Sequence, residues 1–103
     1  MKYQPKRSTA RWLAGAPAHV MACYDNGGKT ADRYTVLYGA PLWVESMGQK
    51  VPCRFMSDNP FHPQGVGSFA EHPAYDRACL GRKVKWADLP EKVRQCVEQD
   101  GRV

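Results

Sequence analysis

The side chains best suited to chemistry lie in one loop, which spans residues 57–69. Two prolines and two glycines within eight residues exclude a regular helix or a central strand there. The loop should therefore present four candidate binding side chains on a stiff backbone: Asn59, Phe61, His62 and Gln64. Loops on a rigid scaffold often carry function. The alternative is a structural loop that plugs one end of a sheet.

A second candidate surface is basic. The chain carries a net charge of +5, and most of it comes from the first eleven residues, which hold four bases and no acid. We predict a flexible basic arm over residues 1–11 that could hold phosphates, although such arms are often only solvated. Lys83 and Lys85 share one face of a predicted strand and could complete a nucleic-acid surface. Its candidate residues are Lys2, Lys6, Arg7, Arg11, Lys83 and Lys85.

Basic and aromatic residues interleave at residues 33–34, 54–55 and 85–86. Such interleaving is typical of surfaces that stack bases and hold phosphates. Strand alternation, however, sends the two members of each pair to opposite faces. The pattern therefore favours aromatic rings in the core, with the bases Arg33, Arg54 and Lys85 solvated.

Catalytic and metal-binding residue types show no characteristic spacing. Residues 28–30 (Gly-Lys-Thr) resemble the end of a phosphate-binding P-loop, but Cys23 stands where that motif requires glycine, and a hairpin turn explains them better. His62, His72 and Cys79 match no metal-ligand spacing, and no local signature supports Cys79 as a nucleophile. The carboxylates show no pair suited to glycoside hydrolysis. We expect a protein that is not an enzyme and has no cofactor and no metal.

The cysteines bear on the cellular compartment. Cys23, Cys53, Cys79 and Cys96 contain no Cys-x-x-Cys pair, and two disulfides would require an oxidising compartment. The N-terminal region superficially resembles a signal peptide, but Gly15, Pro17 and His19 interrupt its apolar stretch. Reduced thiols in a cytoplasm are favoured, with Cys53 and Cys96 in the core. No apolar run approaches the roughly 20 residues that span a bilayer, so we expect no membrane association.

Alternation and turn residues predict antiparallel strands over residues 19–24, 33–39, 42–47, 50–56 and 82–86. Asn26-Gly27 is a hairpin signal, and Ala40-Pro41 should separate the second strand from the third. In the fourth strand, Val51, Cys53 and Phe55 should share one face, with Lys50, Pro52, Arg54 and Met56 on the other. Because Pro52 cannot donate to a ladder, that strand should lie at an edge or contain a bulge.

The C-terminal segment predicts a helix. Asp88 lies in its capping region, Pro90 suits the first turn, and Gly101 should end it. An apolar stripe follows one helical face: Leu89, Val93, Cys96 and Val97. The predicted fold is α+β, with a small antiparallel sheet of four to five strands and one C-terminal helix packed on it. The arm over 1–11 would precede a single domain over 12–103.

Three blocks carry a resemblance to known proteins, at residues 33–36, 56–65 and 80–90. They resemble small proteins encoded by phages, prophages and plasmids, over roughly residues 24–99. The most specific block is Asn-Pro-Phe-His-Pro-Gln-Gly at 59–65. The resemblance implies a genomic setting and no catalytic residues.

These observations favour a non-catalytic accessory protein of a phage or mobile element. It would act in the cytoplasm of the bacterial host by binding a host protein or nucleoprotein complex, for example as a host-defence inhibitor. The alternative is a module that binds DNA or RNA through the basic arm together with Lys83 and Lys85. A small enzyme is the third hypothesis.

Overall fold

The computed structural model of the chain describes residues 6–29, 32–45, 48–61, 66–67 and 80–100. Its elements, in chain order, are β1 (Val20–Asp25), β2 (Tyr34–Val44), β3 (Gln49–Met56), β4 (Val66–Gly67), β5 (Arg82–Val84), a 3-10 turn (Trp86–Asp88) and helix α1 (Glu91–Gln99). The strands form one antiparallel sheet in the order β4-β3-β2-β1-β5. The predicted α+β fold, a small antiparallel sheet with a helix near the C-terminus, is confirmed.

The β1–β2 connection is a hairpin built by two polar side chains. Asp25 Oδ1 accepts a hydrogen bond from the Gly27 N–H at 2.8 Å. Asn26 Oδ1 accepts from the N–H groups of Gly28 and Lys29, at 2.9 and 3.1 Å. The two glycines have φ values of +76° and +93°, which favour glycine. Gly28 and Lys29 therefore belong to a turn followed by a strand, as predicted, and not to a P-loop.

Strand β2 continues through Pro41, and the predicted division into strands over 33–39 and 42–47 is wrong. The register between β2 and β3 shifts between Leu37, which pairs with Cys53, and Leu42, which pairs with Val51. Pro41 and Pro52, neither of which can donate to a ladder, both lie within this irregularity, which confirms the edge-or-bulge prediction for Pro52.

The same bulge changes which residues of β3 share a face. Val51 and Met56 pack in the cluster beneath the helix, whereas Cys53 and Phe55 pack on the opposite face. The predicted grouping of Val51 with Cys53 and Phe55 is therefore wrong. Between the paired positions, β2 has the four residues 38–41 where β3 has Pro52 alone. Because side chains alternate with a period of two, an irregularity at this point can place Val51 and Cys53 on opposite faces.

Most of the described core lies between the sheet and α1. It includes side chains from four strands, the 3-10 turn and the helix: Val20, Cys23, Tyr34, Val36, Tyr38, Val44, Val51, Met56, Val84, Trp86, Leu89, Val93, Cys96 and Val97. A smaller cluster covers the other face: Ala22, Tyr24, Leu37, Cys53 and Leu80. The sheet thus has apolar residues on both faces.

Helix α1 presents the predicted apolar stripe to the sheet. Leu89, Val93, Cys96 and Val97 are all buried, as predicted. Its N-cap, however, is Pro90, and Asp88 lies in the preceding 3-10 turn. The predicted stop residue, Gly101, lies outside the described residues. Among the described helices, none is long and apolar enough to cross a membrane.

Gly81 directly precedes β5, and its backbone conformation and close packing both require glycine. Its φ is +81°, and a Cβ there would lie 2.7 Å from the Asn26 nitrogen and closer still to Asp25 O. Backbone atoms cannot move aside as a flexible side chain can. We expect Gly81→Ala to lower the free energy of unfolding by about 2–3 kcal/mol, from strain and displacement of the hairpin.

Urea unfolding monitored by circular dichroism measures this effect. The matched control is Gly28→Ala, which has a similar positive φ but open space around its Cβ. It should cost about 1 kcal/mol from conformation alone. Equal losses in both variants would show that close packing at Gly81 contributes nothing.

Candidate nucleic-acid interface

The described part of the N-terminal arm lies along the same edge of the sheet as β5. The Ser8 N–H donates to Met21 O of β1 at 2.9 Å, and the Trp86 N–H donates to Trp12 O at 2.9 Å. Lys83 Nζ donates to Lys6 O at 3.0 Å. We call residues 6–12 together with residues 82–85 the basic edge. It brings together two parts of the predicted nucleic-acid surface that are 77 positions apart.

Two aromatic rings lie beside the lysines of the basic edge. Lys83 Nζ is 5.9 Å from the centroid of the Tyr24 ring, and Lys85 Nζ is 6.0 Å from that of Trp12. Both distances are within the range of cation–π attraction. Tyr24 is only 2% exposed and belongs to the core, whereas Trp12 is half-buried. Trp12 is therefore the ring that a ligand could reach.

Two adjacent depressions open on the basic edge. The smaller has a volume of about 140 Å³ and is lined by Arg7, Ser8, Thr9, Trp12 and Lys83. The larger, of about 270 Å³, is lined by Trp12, Asp25, Tyr34, Arg82, Lys83, Val84, Lys85 and Asp88. Trp12 and Lys83 belong to both linings. The two depressions therefore adjoin at these two side chains.

Positive charge predominates along the basic edge. Its cations are Lys6, Arg7, Arg11, Arg82, Lys83 and Lys85. Two carboxylates also line the larger depression, Asp25 and Asp88. Asp25 already binds Arg33 through two hydrogen bonds of 2.8 and 3.1 Å. The hydrogen bond from Arg33 lowers the pKa of Asp25, so this carboxylate remains ionised and compensated at neutral pH.

The arm is only partly described, and its flexibility stays a prediction. Lys6, Arg7 and Arg11 are exposed, but Ser8 is only 7% exposed and its backbone is bonded to β1. At least this residue of the predicted arm belongs to the folded body. Lys2 lies outside the described residues. Sequence reasoning missed Ser8, Trp12 and Arg82, although an aromatic residue directly after Arg11 was a usable signal.

The described residues of the 57–69 segment, 57–61 and 66–67, lie at the other edge of the sheet, where β4 pairs with the end of β3. The Asn59 N–H donates to Ser57 Oγ at 3.2 Å, so Asn59 takes part in a local turn. Pro60 is buried, and Phe61 is 50% exposed. His62 and Gln64 lie outside the described residues. Asn59 and Phe61, the described candidates of this loop, thus follow β3 near the β4 edge, whereas the basic edge lies along β5 at the opposite side of the sheet.

A third group of polar residues is buried beneath the C-terminal end of α1. Arg54 Nε lies 3.1 Å from Asp100 Oδ2, and Arg54 Nη2 donates to Cys96 Sγ at 3.4 Å. Tyr38 Oη donates to Asp100 Oδ2. Burial raises the pKa of Asp100, against the opposing effects of Tyr38 and Arg54. The predicted solvation of Arg54 is wrong, because this residue is 5% exposed and paired within the core.

The described cysteines are buried free thiols, namely Cys23, Cys53 and Cys96. Core positions for Cys53 and Cys96 are thereby confirmed. Burial raises the pKa of Cys23 to about 12, so its thiol is protonated at neutral pH and a poor nucleophile. The described ranges contain no group of three metal-ligating side chains. His72 and Cys79 lie outside those ranges.

No protein-family model, curated protein or solved structure matches this chain. The resemblance to phage, prophage and plasmid proteins stays a prediction.

Proposed function

We propose that this chain binds nucleic acid through the basic edge, without sequence specificity. The observation that carries the proposal is the contact of Lys83 Nζ with Lys6 O, which unites the cations of β5 with those of the arm. Phosphate contacts supply most of the affinity in non-specific binding. A surface of clustered Lys and Arg on one edge provides that electrostatic attraction.

The shape of the basic edge favours a single strand over a duplex. Proteins that bind single strands combine a positive groove with aromatic rings on which bases stack. Here the two depressions form the groove, and the half-buried Trp12 lies between them. A duplex would offer its phosphates but no free base to Trp12. We therefore propose single-stranded DNA or RNA as the ligand.

Replacing the two lysines should weaken binding and its dependence on salt. We expect K83Q/K85Q to bind an oligo-dT of about 12 nucleotides on the order of tenfold to a hundredfold more weakly at about 50 mM salt. The slope of log K against log salt should fall by about 1.4, because each lost phosphate contact removes about 0.7. Fluorescence anisotropy over a series of salt concentrations measures both quantities.

The matched control is K29Q/K92Q, which removes the same charge from exposed positions outside the basic edge. It should change affinity and slope much less. If both double variants bind equally weakly, net charge alone drives association and the basic edge is not the site. If the parent protein shows no salt-dependent binding, the proposed function is wrong.

A second candidate function is protein binding through the 57–69 loop, as the accessory protein of a mobile element would require. The half-exposed Phe61 beside the buried Pro60 supports it, because a large ring on a fixed turn is suited to anchor a partner. This edge lies away from the basic edge, so the two functions are compatible. Phe61→Ser should leave oligonucleotide binding unchanged, which separates the two surfaces experimentally.

A further inference from the structure

A buried hydroxyl without a partner among the described residues lies in the wall of the smaller depression of the basic edge. Ser8 is 7% exposed, and its Oγ has no hydrogen-bond partner within the described part of the chain. Buried hydroxyls in native proteins are nearly always bonded to protein, water or a ligand. Ser8 also lines the depression, next to Thr9. Rotation of the Ser8 side chain to another staggered position could turn its O–H toward an acceptor bound there.

The cations of this depression are anchored in place and keep free donors. Lys83 Nζ donates to Lys6 O at 3.0 Å, and Arg7 Nη1 donates to Val20 O at 3.4 Å. An ammonium has three N–H donors and a guanidinium has five, so each side chain can bind a further acceptor. The described lining contains no carboxylate. Both the charge and the donors are therefore complementary to an anion.

We infer that the smaller depression is a phosphate site, in which Arg7, Ser8 and Lys83 bind one phosphate group of the bound strand. The assignment of this phosphate to a nucleic acid rests on the proposed function. The volume of this depression is about 140 Å³, against about 270 Å³ for its neighbour, so it is the smaller of the two that suits a compact group such as phosphate. The adjoining larger depression offers space for the attached sugar and base.

Titration of the uniformly ¹⁵N-labelled protein with inorganic phosphate tests the site directly. We expect the backbone amide signals of Arg7, Ser8 and Lys83 to shift saturably, at constant ionic strength set with sodium chloride. Ser8→Ala should weaken phosphate binding roughly fivefold to tenfold, because it removes a hydrogen bond to a charged group. Its melting temperature should stay within a few degrees of the parent. The control is Lys92→Gln, at a position on α1 away from the depression. This variant should bind phosphate with the same affinity as the parent.

A parallel titration with sodium acetate tests whether the site is selective for phosphate over other anions. Equal shifts with acetate would overturn a phosphate site in favour of general anion binding, including acidic peptides. Unchanged phosphate affinity in Ser8→Ala, or no saturable shift with phosphate, would also overturn the inference, even if oligo-dT still binds elsewhere on the basic edge. Saturable phosphate binding without any oligonucleotide binding would leave the site standing and refute the proposed function.

Discussion

Val97→Asp should abolish folding of the domain at 25 °C. Val97 is 0% exposed and packs in the main core between α1 and the sheet. A carboxylate there would lie within this largely apolar cluster and must be buried ionised or take up a proton. Either cost is several kcal/mol, which is comparable to the total stability of a small domain, about 5–15 kcal/mol. A far-ultraviolet circular dichroism melt would show no cooperative transition.

Two variants separate the charge from other effects of this substitution. Gln95→Asp places the same carboxylate at an exposed position of α1 and should cost less than about 1 kcal/mol. Val97→Ala removes apolar volume without adding charge and should cost about 1–3 kcal/mol. A cooperative melt of Val97→Asp near the parent temperature would mean that α1 does not pack on the sheet.

The correct sequence predictions concern features that depend on neighbouring residues. The hairpin at Asn26 and Gly27 follows from turn chemistry, because both residues suit a tight turn. The stripe on α1 follows from helical spacing, which places Val93 and Val97 on one face. In both cases, the residues that decide the conformation lie within one turn of each other. The tertiary contacts of the hairpin and of α1 are consistent with the conformation that these neighbouring residues already favour.

The incorrect predictions concern features set by distant residues. The alternation of β3 appeared regular, yet Val51 and Cys53 lie on opposite faces, at the point where the pairing with β2 changes register. Arg54 appeared solvated because its partner Asp100 lies far along the chain, just after α1. A single sequence gives no sign of such a pairing. Arginine is also rarely buried, so the residue type by itself argued against a core position for Arg54.

The sequence predicted most of the basic residues of the candidate interface, but it did not predict that the arm and β5 lie side by side. The cationic character of the arm and the shared face of Lys83 and Lys85 were visible in the sequence. Their proximity depends on the docking of Ser8 against β1 and of Trp12 against Trp86. Those hydrogen bonds involve backbone groups, which any residue can supply. The sequence therefore contained no side-chain signal for this arrangement.

Asp100→Ala should lower the free energy of unfolding by about 3–5 kcal/mol, the second largest effect that we expect. The substitution leaves the Arg54 cation buried without its carboxylate, and it removes the acceptor of the Tyr38 hydroxyl. Both side chains of the ion pair are only 6% exposed, so solvent cannot replace the lost partner. Urea unfolding measures the loss, with Asp88→Ala as the control for an exposed carboxylate beside the same helix.

A double-mutant cycle shows whether this loss comes from the stranded cation. Arg54→Met keeps the apolar stem and removes the charge, so the double variant R54M/D100A has neither ion in the core. It should be more stable than Asp100→Ala alone, because desolvation of an unpaired guanidinium no longer opposes folding. Additive losses from the two substitutions would instead show that Arg54 and Asp100 act independently, and the pair would then contribute nothing to holding the end of α1 against the sheet.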